Sequence, residues 1–330
     1  MMTPLRMNSL LLICLMLIVP FSLMIGAVSL TLDQLIAGLM GRDYSIALIL
    51  WDVRLPRTLL ALLIGGGLGL SGAVLQSMMR NPLADPSLFG APQMAALGAV
   101  VVIFSGFGDV YAPILPIVAI VGACLSVGFV LILAGKHGAV HTILLAGLAI
   151  GSLAGALTSL TLSLSPNPFA VTEIVFWLLG SLEDRSLNHV YLAAPFTIVG
   201  MVVLLSMGRG LKALTLGEDT AQTLGVNVAY LRWSGVIGVA LCVGAGVAVS
   251  GAIGFIGLII PHVVRALIGA DPQKGLLPSL LLGAVMLLIA DIGVRVIPAS
   301  AEIKIGVLTS LVGVPFFLFL VVRSRLKHTF

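Results

Sequence analysis

Charge is what this sequence lacks most. Of 330 residues, 9% are Asp, Glu, Lys or Arg and 59% are hydrophobic. A soluble domain carries about 25% charged residues. So few charges cannot coat the surface such a chain would present to water, which excludes a water-soluble fold and leaves an integral membrane protein. Cysteine is scarce too. Cys14, Cys124 and Cys242 are scattered through apolar stretches, which excludes a disulfide framework or CxxC metal site and reads as buried thiols. No GxxxxGK[ST] loop is present to cradle ATP phosphates. HGAVH (137–141) has the histidine spacing of a zinc helix without its glutamate. His189 and His328 read as interfacial residues, and Glu183-Asp184 as loop carboxylates beside Arg185. No catalytic, metal or cofactor site is expected. The net charge of +4 points to orientation and lipid headgroups, not nucleic acid.

What is present is a succession of apolar segments, near 10–30, 57–78, 91–107, 113–134, 142–164, 190–208, 233–250, 254–268, 276–297 and 305–322. Most can cross a hydrocarbon core of ~30 Å. The expectation is an all-α polytopic membrane protein of ten transmembrane helices, forming one domain over 1–330. The first segment has no closing A-x-A-like site, so it reads as a span and not a cleaved signal. The eighth is short and is expected to be interrupted at Pro261-His262 and Arg265. A short surface helix is expected near 171–181.

Ten spans place both termini on one side. If that side is cytoplasmic, eleven Lys/Arg lie inside and six outside, which favours N-in and C-in. Arg54, Arg57 and Arg295 then sit at outer span ends, against orientation bias, and call for another reason. Asp291 and Arg295, four apart on one helix face, read as an internal ion pair, with Arg295 facing a partner as the alternative. GLGLSGAV (67–74) resembles GVAVSGAI (246–253), and ADP recurs at 84–86 and 270–272, a hint of an inverted repeat of the kind found in transporters.

Two stretches carry the most information. Residues 54–90 combine flanking arginines, a glycine-rich span, the lone amide Gln76 and a polar turn. Small residues let helices approach closely, and a buried amide needs a partner. Residues 212–228, KALTLGEDTAQTLGVNV, read as one or two short surface helices. Gly217 and Gly225 act as breakers, Glu218-Asp219 as a helix start, and Ala221 and Leu224 as a small apolar docking face.

RLPR (54–57), SGAVLQ (71–76), RNPLADPSLFG (80–90), LLAGLAI (144–150), FWLLGSL (176–182), LGEDTAQTLGV (216–226), SGAIGFIGLIIPHVVR (250–265), LLGAVMLLIADIGVR (281–295) and EIKIGVLTSLVGVPFFL (302–318) together resemble the FecCD-type permeases of iron-chelate and cobalamin ABC importers. The resemblance covers about residues 50–325. It implies the type II ABC importer permease architecture, in a bacterial inner membrane. It also implies a second permease subunit (a homodimer or a paralogue pair), two cytosolic ATPase subunits and a periplasmic or lipid-anchored binding protein. Arg54, Arg57 and Arg295 match the family's docking positions for that binding protein. Leu216, Gly217, Glu218, Ala221, Leu224 and Gly225 match its ATPase-coupling segment. Asn81, Leu83, Val140 and His141 match its cytoplasmic gate. EIKIG stands where ELPIG is frequent, and APQMAA (91–96) where a glycine-rich turn is common. The implied cargo is a ferric siderophore or haem, with cobalamin as the alternative. A secondary transporter, which would place ionisable groups at mid-membrane, is the different-class alternative.

Overall fold

The computed structural model describes residues 2–26, 28–107, 114–135, 140–297 and 302–327, and among them the regular elements are all helices. Each expected apolar segment falls on a helix: α1 (Pro4–Met24), α2 (Leu55–Met78), α3 (Ala91–Ser105), α4 (Ile114–Ala134), α5 (Val140–Leu164), α6 (Leu187–Ser206), α7 (Val228–Ser250), α8 (Ile256–Ile268), α9 (Pro272–Val296) and α10 (Ile305–Lys327). Among the described residues seven of these are long and apolar enough to cross a membrane, while α3, α8 and α10 offer shorter apolar stretches. A short helix, expected near 171–181, is present at Pro168–Leu178, with Ile174 and Trp177 buried.

Helix starts follow local chemistry. Thr3 caps α1 ahead of Pro4, Asn227 caps α7, and Asp271 caps α9 ahead of Pro272. A capping Ser, Thr, Asp or Asn satisfies a backbone donor that the first turn leaves orphaned. Both ADP motifs are such starts, since Asp85 likewise accepts from the Ser87 N–H before a short 3-10 turn. The two SGA segments, in contrast, diverge. Ser71 continues α2, whereas Ser250 is the last residue of α7 and the chain then leaves the helix at Gly251.

Helix α2 is the centre of the bundle. It packs most extensively on α9, then on α8, α7 and α6. The α2–α9 contact is backbone on backbone: a Cβ on Gly65 would lie 2.4 Å from the Gly283 carbonyl, and one on Gly69 2.3 Å from that of Ser279. Small residues four apart on each helix make this approach possible.

The break expected within the eighth segment lies earlier than expected. The chain is non-helical from Gly251 to Gly254, Phe255 takes a left-handed φ of 68°, and α8 then runs unbroken through Pro261 and Arg265. Pro261 removes the donor that the Gly257 carbonyl would use in a regular helix. That carbonyl instead faces α2, where a Cβ on Gly72 would sit 1.8 Å from it. Unwound backbone inside a membrane protein needs protein partners. At the start of the break, the Ser250 carbonyl that ends α7 accepts from the Ser181 N–H at 2.7 Å.

Candidate functional sites at the two ends of the bundle

One end of the bundle is built on arginine. Arg57, in the first turn of α2, donates from Nε to Asp291 Oδ1 at 2.6 Å and from Nη1 to Glu302 Oε2 at 3.0 Å, with a second bond from Nη2 to Glu302 Oε1. Asp291 is fully buried and also pairs with Arg295 at 2.6 Å, the i,i+4 ion pair expected from the sequence. Arg295 goes on to donate to the carbonyls of Ser22 at 2.8 Å and Ile25 at 2.9 Å, and to Ser22 Oγ at 2.6 Å. Ser22 Oγ lies 3.0 Å from Thr58 Oγ1. Arg54 donates to the carbonyls of Leu23 at 2.7 Å and Met24 at 2.8 Å, and to that of Val28.

The charge count explains the division of labour. Three guanidinium groups meet two carboxylates, so one cation is in excess. The excess falls on Arg54, whose hydrogen bonds all go to backbone oxygen. Those oxygens belong to the C-terminus of α1 and the residues just beyond it, where orphan carbonyls concentrate negative potential.

The structure therefore brings Arg54, Arg57 and Arg295 together, but not as an exposed face. Arg54 and Arg57 are 5% and 7% exposed, and each guanidinium is engaged within the chain. A buried charge without partners is costly, and Asp291, Glu302 and the carbonyls at the end of α1 supply those partners. A cavity of about 470 Å³ opens over the network, lined by all three arginines with Glu183, Asp184 and Glu302. Beside it Lys304 donates to Glu183 at 2.5 Å, which gives the lysine of EIKIG a local role. Burial draws the loop residue Arg185 below its ordinary value, against the opposing pull of Asp184 and Glu183. Glu302 and the α1 carbonyls are the members that sequence reasoning missed. The available signal was the surplus of arginines at one end, which required acceptors somewhere.

At the opposite end of the helices lies the segment 212–228. Two short helices, Gly208–Leu214 and Glu218–Thr223, are separated and closed by Gly217 (φ 108°) and Gly225 (φ 83°). Glu218 opens the second helix and pairs with Arg232 at 2.5 Å. The apolar face differs from the expected one: Ala221 is fully buried and anchors the helix, while Leu216 and Leu224 are 65% and 62% exposed. Lys212 reaches Asp271 at 3.2 Å. Burial alone would raise the Asp271 carboxyl. Hydrogen bonds from Lys212 and from the N–H groups of Lys274 and Gln273 outweigh it and hold the group below the usual carboxylate range.

The turn after α2 is at the same end. Arg80 takes a left-handed φ of 50°, and Asn81 Oδ1 accepts from the Leu83 N–H at 2.9 Å. Asn81 and Leu83 are exposed. Gln76 fixes the turn from within, donating to Ala84 O at 3.3 Å and Leu258 O at 3.2 Å. These carbonyls take both donors of the lone amide. His141 is exposed on the first turn of α5, on a different element from Asn81 and Leu83. The side chain of Val140 lies outside the described residues.

The profile of the FecCD transport family matches residues 12–323. An uncharacterised ABC transporter permease of Bacillus subtilis (strain 168), YvrB, is 40% identical over 84% of the chain and 79% of the relative. The vitamin B12 import system permease BtuC of Salmonella newport (strain SL254) is 37% identical over 84% of both. A solved structure, described as an inward-facing conformation of a transporter of the metal-chelate ABC type, superimposes with a TM-score of 0.87. It is 34% identical and covers 96% of this chain and 99% of its own.

Proposed function

The chain belongs to the FecCD transport family of ABC importer permeases, and from that premise we propose that it moves a large metal chelate, a ferric siderophore or haem, into the cytoplasm by alternating access. Energy comes from separate ATPase subunits bound at the segment 212–228, and cargo from a binding protein docking over the arginine end. The whole chain acts as one permease domain, paired with a second permease subunit, in a bacterial cell membrane with both termini cytoplasmic. The observation that carries the reading is the distribution of polar groups. Among the described residues the buried charged side chains (Arg54, Arg57 and Asp291) lie at one end of the bundle, which leaves no mid-membrane relay for an ion-coupled mechanism.

Cobalamin is the second reading, favoured by the identity with BtuC. Both cargoes are bulky chelates, and a permease that holds either one weakly would leave specificity to the binding protein. Exposed Leu216 and Leu224 are the contacts for the ATPase, with Gly217, Glu218, Ala221 and Gly225 shaping the segment that presents them. Asn81, Leu83, Val140 and His141 form the gate on that side. The arginine network closes the other end, and docking draws on its guanidinium groups where they line the 470 Å³ cavity.

Reconstitution with its ATPase and binding protein tests the reading. Uptake of a ferric siderophore or haem is expected to require ATP, and uptake without ATP overturns the assignment. Uptake of cobalamin alone selects the second cargo. Affinity for the binding protein is expected to fall with ionic strength, and a salt-independent affinity rules out docking through arginine. Salt is the cleaner probe, because charge reversal at Arg57 or Arg295 also breaks the buried network.

A further inference from the structure

We propose that one water molecule is bound between α2, α8 and α9, at the end of the bundle that carries the segment 212–228, and that it joins Arg265 to Asp271. The site is a cavity of about 20 Å³. Ser77 of α2 and Arg265 of α8 line it, with Asp271, Gly275 and Ser279. The last three stand at four-residue steps, so α9 turns one face to the site.

Two buried polar atoms at this junction have no hydrogen-bond partner in the chain: Arg265 Nη2 and Ser279 Oγ. Ser279 is only 1% exposed. Among the described residues no carboxylate lies within ion-pair distance of Arg265, because Asp271 gives its direct contacts to Lys212 at 3.2 Å and Lys274 at 3.9 Å. A charge drawn out of solvent needs an acceptor. Asp271 lines the same cavity without touching the guanidinium, and polar groups facing each other beyond direct contact are the setting a bridging water fills.

A water needs about 10–15 Å³ of such space and two to four polar partners. Here it accepts from Arg265 Nη2 and from the Ser279 hydroxyl and donates to the Asp271 carboxylate, which makes three. An anion would satisfy the same two donors but would lie against that carboxylate. An apolar group would leave both donors unpaired. The space exists because α9 has no side chain at 275. A Cβ there would stand 3.8 Å from Val264 Cγ1, an ordinary contact, so alanine fits without strain and its methyl competes with the water for the same room. Lys212 belongs to the segment 212–228, so the Asp271 carboxylate links that segment to the water and, through it, to α8.

The test uses the full chain in nanodiscs and X-ray radiolytic footprinting, in which a bound water releases hydroxyl radicals onto the side chains beside it. Val264 is 1% exposed and out of reach of radicals from bulk solvent. Oxidation of Val264 is expected in the wild type and should fall several-fold in Gly275→Ala, while oxidation of exposed Leu216 and Leu224 persists. An unoxidised Val264 in the wild type overturns the proposal, as does oxidation that Gly275→Ala leaves unchanged. Thermal midpoints give an independent reading. Arg265→Met and Ser279→Ala should each lower the midpoint, and the double variant should fall no further than Arg265→Met alone. Additive losses overturn a shared water. Where Arg265→Met does not fold, Arg265→Lys takes its place in the cycle. Exchange of chloride for gluconate at constant ionic strength should leave the wild-type midpoint unchanged, and a midpoint that follows chloride overturns water in favour of an anion.

Discussion

Helices α2 and α5 have the same mean hydropathy, 2.0, yet 83% of the most apolar window of the segment ending in α2 is buried against 39% for α5. Hydropathy reports that a segment lies within a bilayer; it is silent on whether the neighbour is lipid or protein. The distinction sits in the small residues. In α2, Gly65, Gly69 and Gly72 each press on the backbone of another helix. In α5, Gly151 meets Gly90, while nothing approaches within 4 Å of a Cβ on Gly155. Lipid tails are as apolar as leucine, so close packing and internal hydrogen bonds, not hydrophobicity, hold the central helix in place.

The largest expected effect breaks that contrast directly. Gly72→Leu drives a side chain into the Gly257 carbonyl and should exceed the usual ~1–3 kcal/mol of overpacking, removing the monodisperse species on fluorescence-detected size exclusion. Gly155→Leu should stay within ~0.5 kcal/mol in the isolated subunit. Equal damage from both would mean that the open face of α5 is covered by another subunit. Next comes Asp291→Ala, which strips Arg57 and Arg295 of a shared buried partner. A loss of ~3–5 kcal/mol is expected as a drop in thermal midpoint in detergent, and little change would mean the network is not closed in solution. Arg54→Met should cost less, about 1.5–3 kcal/mol for hydrogen bonds to a charged group, and should loosen α1 selectively, seen as faster hydrogen exchange near Leu23.

At the other end the effects become functional and small. Leu224→Asp should leave the thermal midpoint unchanged while ATP hydrolysis by the reconstituted complex no longer drives uptake. Normal uptake would remove Leu224 from the coupling contact. Asp271→Asn keeps the helix cap but deletes the charge that faces Lys212. The folded carboxyl titrates below its ordinary value of about 3.9, so its stabilisation is complete above that value and is lost as the pH falls through the lower folded one. The gap in midpoint between wild type and Asp271→Asn should be flat from about pH 7 to 5 and shrink only below about pH 4.

Each of these contrasts also shows what was legible beforehand. Apolar runs marked the helices closely, because hydropathy is a local signal, whereas the caps Asn227 and Asp271 were seen only in the structure. The i,i+4 pair Asp291–Arg295 was readable because it too is local. Glu302 was not: it stands 245 residues from Arg57, and only packing α2 against α9 unites them. The inward turn of the three arginines escaped for a related reason. Span-end position fixes depth in the membrane, but the carbonyls at the end of α1 that claim Arg54 carry no side-chain signature. Ala221 and Leu224, three apart, looked like one docking face, but the first faces the bundle and the second solvent. The break before α8 was placed at Pro261, the residue that usually marks one, whereas Gly251 and Phe255 made it.

Proline at 261 and glycine at 72 lie on different helices and 189 positions apart in the chain, yet they behave as a single choice. The proline withholds a hydrogen from one carbonyl, and the missing side chain makes room for that carbonyl to come near. Neither substitution is useful alone: a donor restored at 261 would draw the oxygen back into its own helix and leave a gap against 72, and bulk added at 72 has nowhere to go while 261 stays proline. Descendants of this chain should therefore keep both or change both, and an engineer repacking the bundle should treat the two positions as one variable.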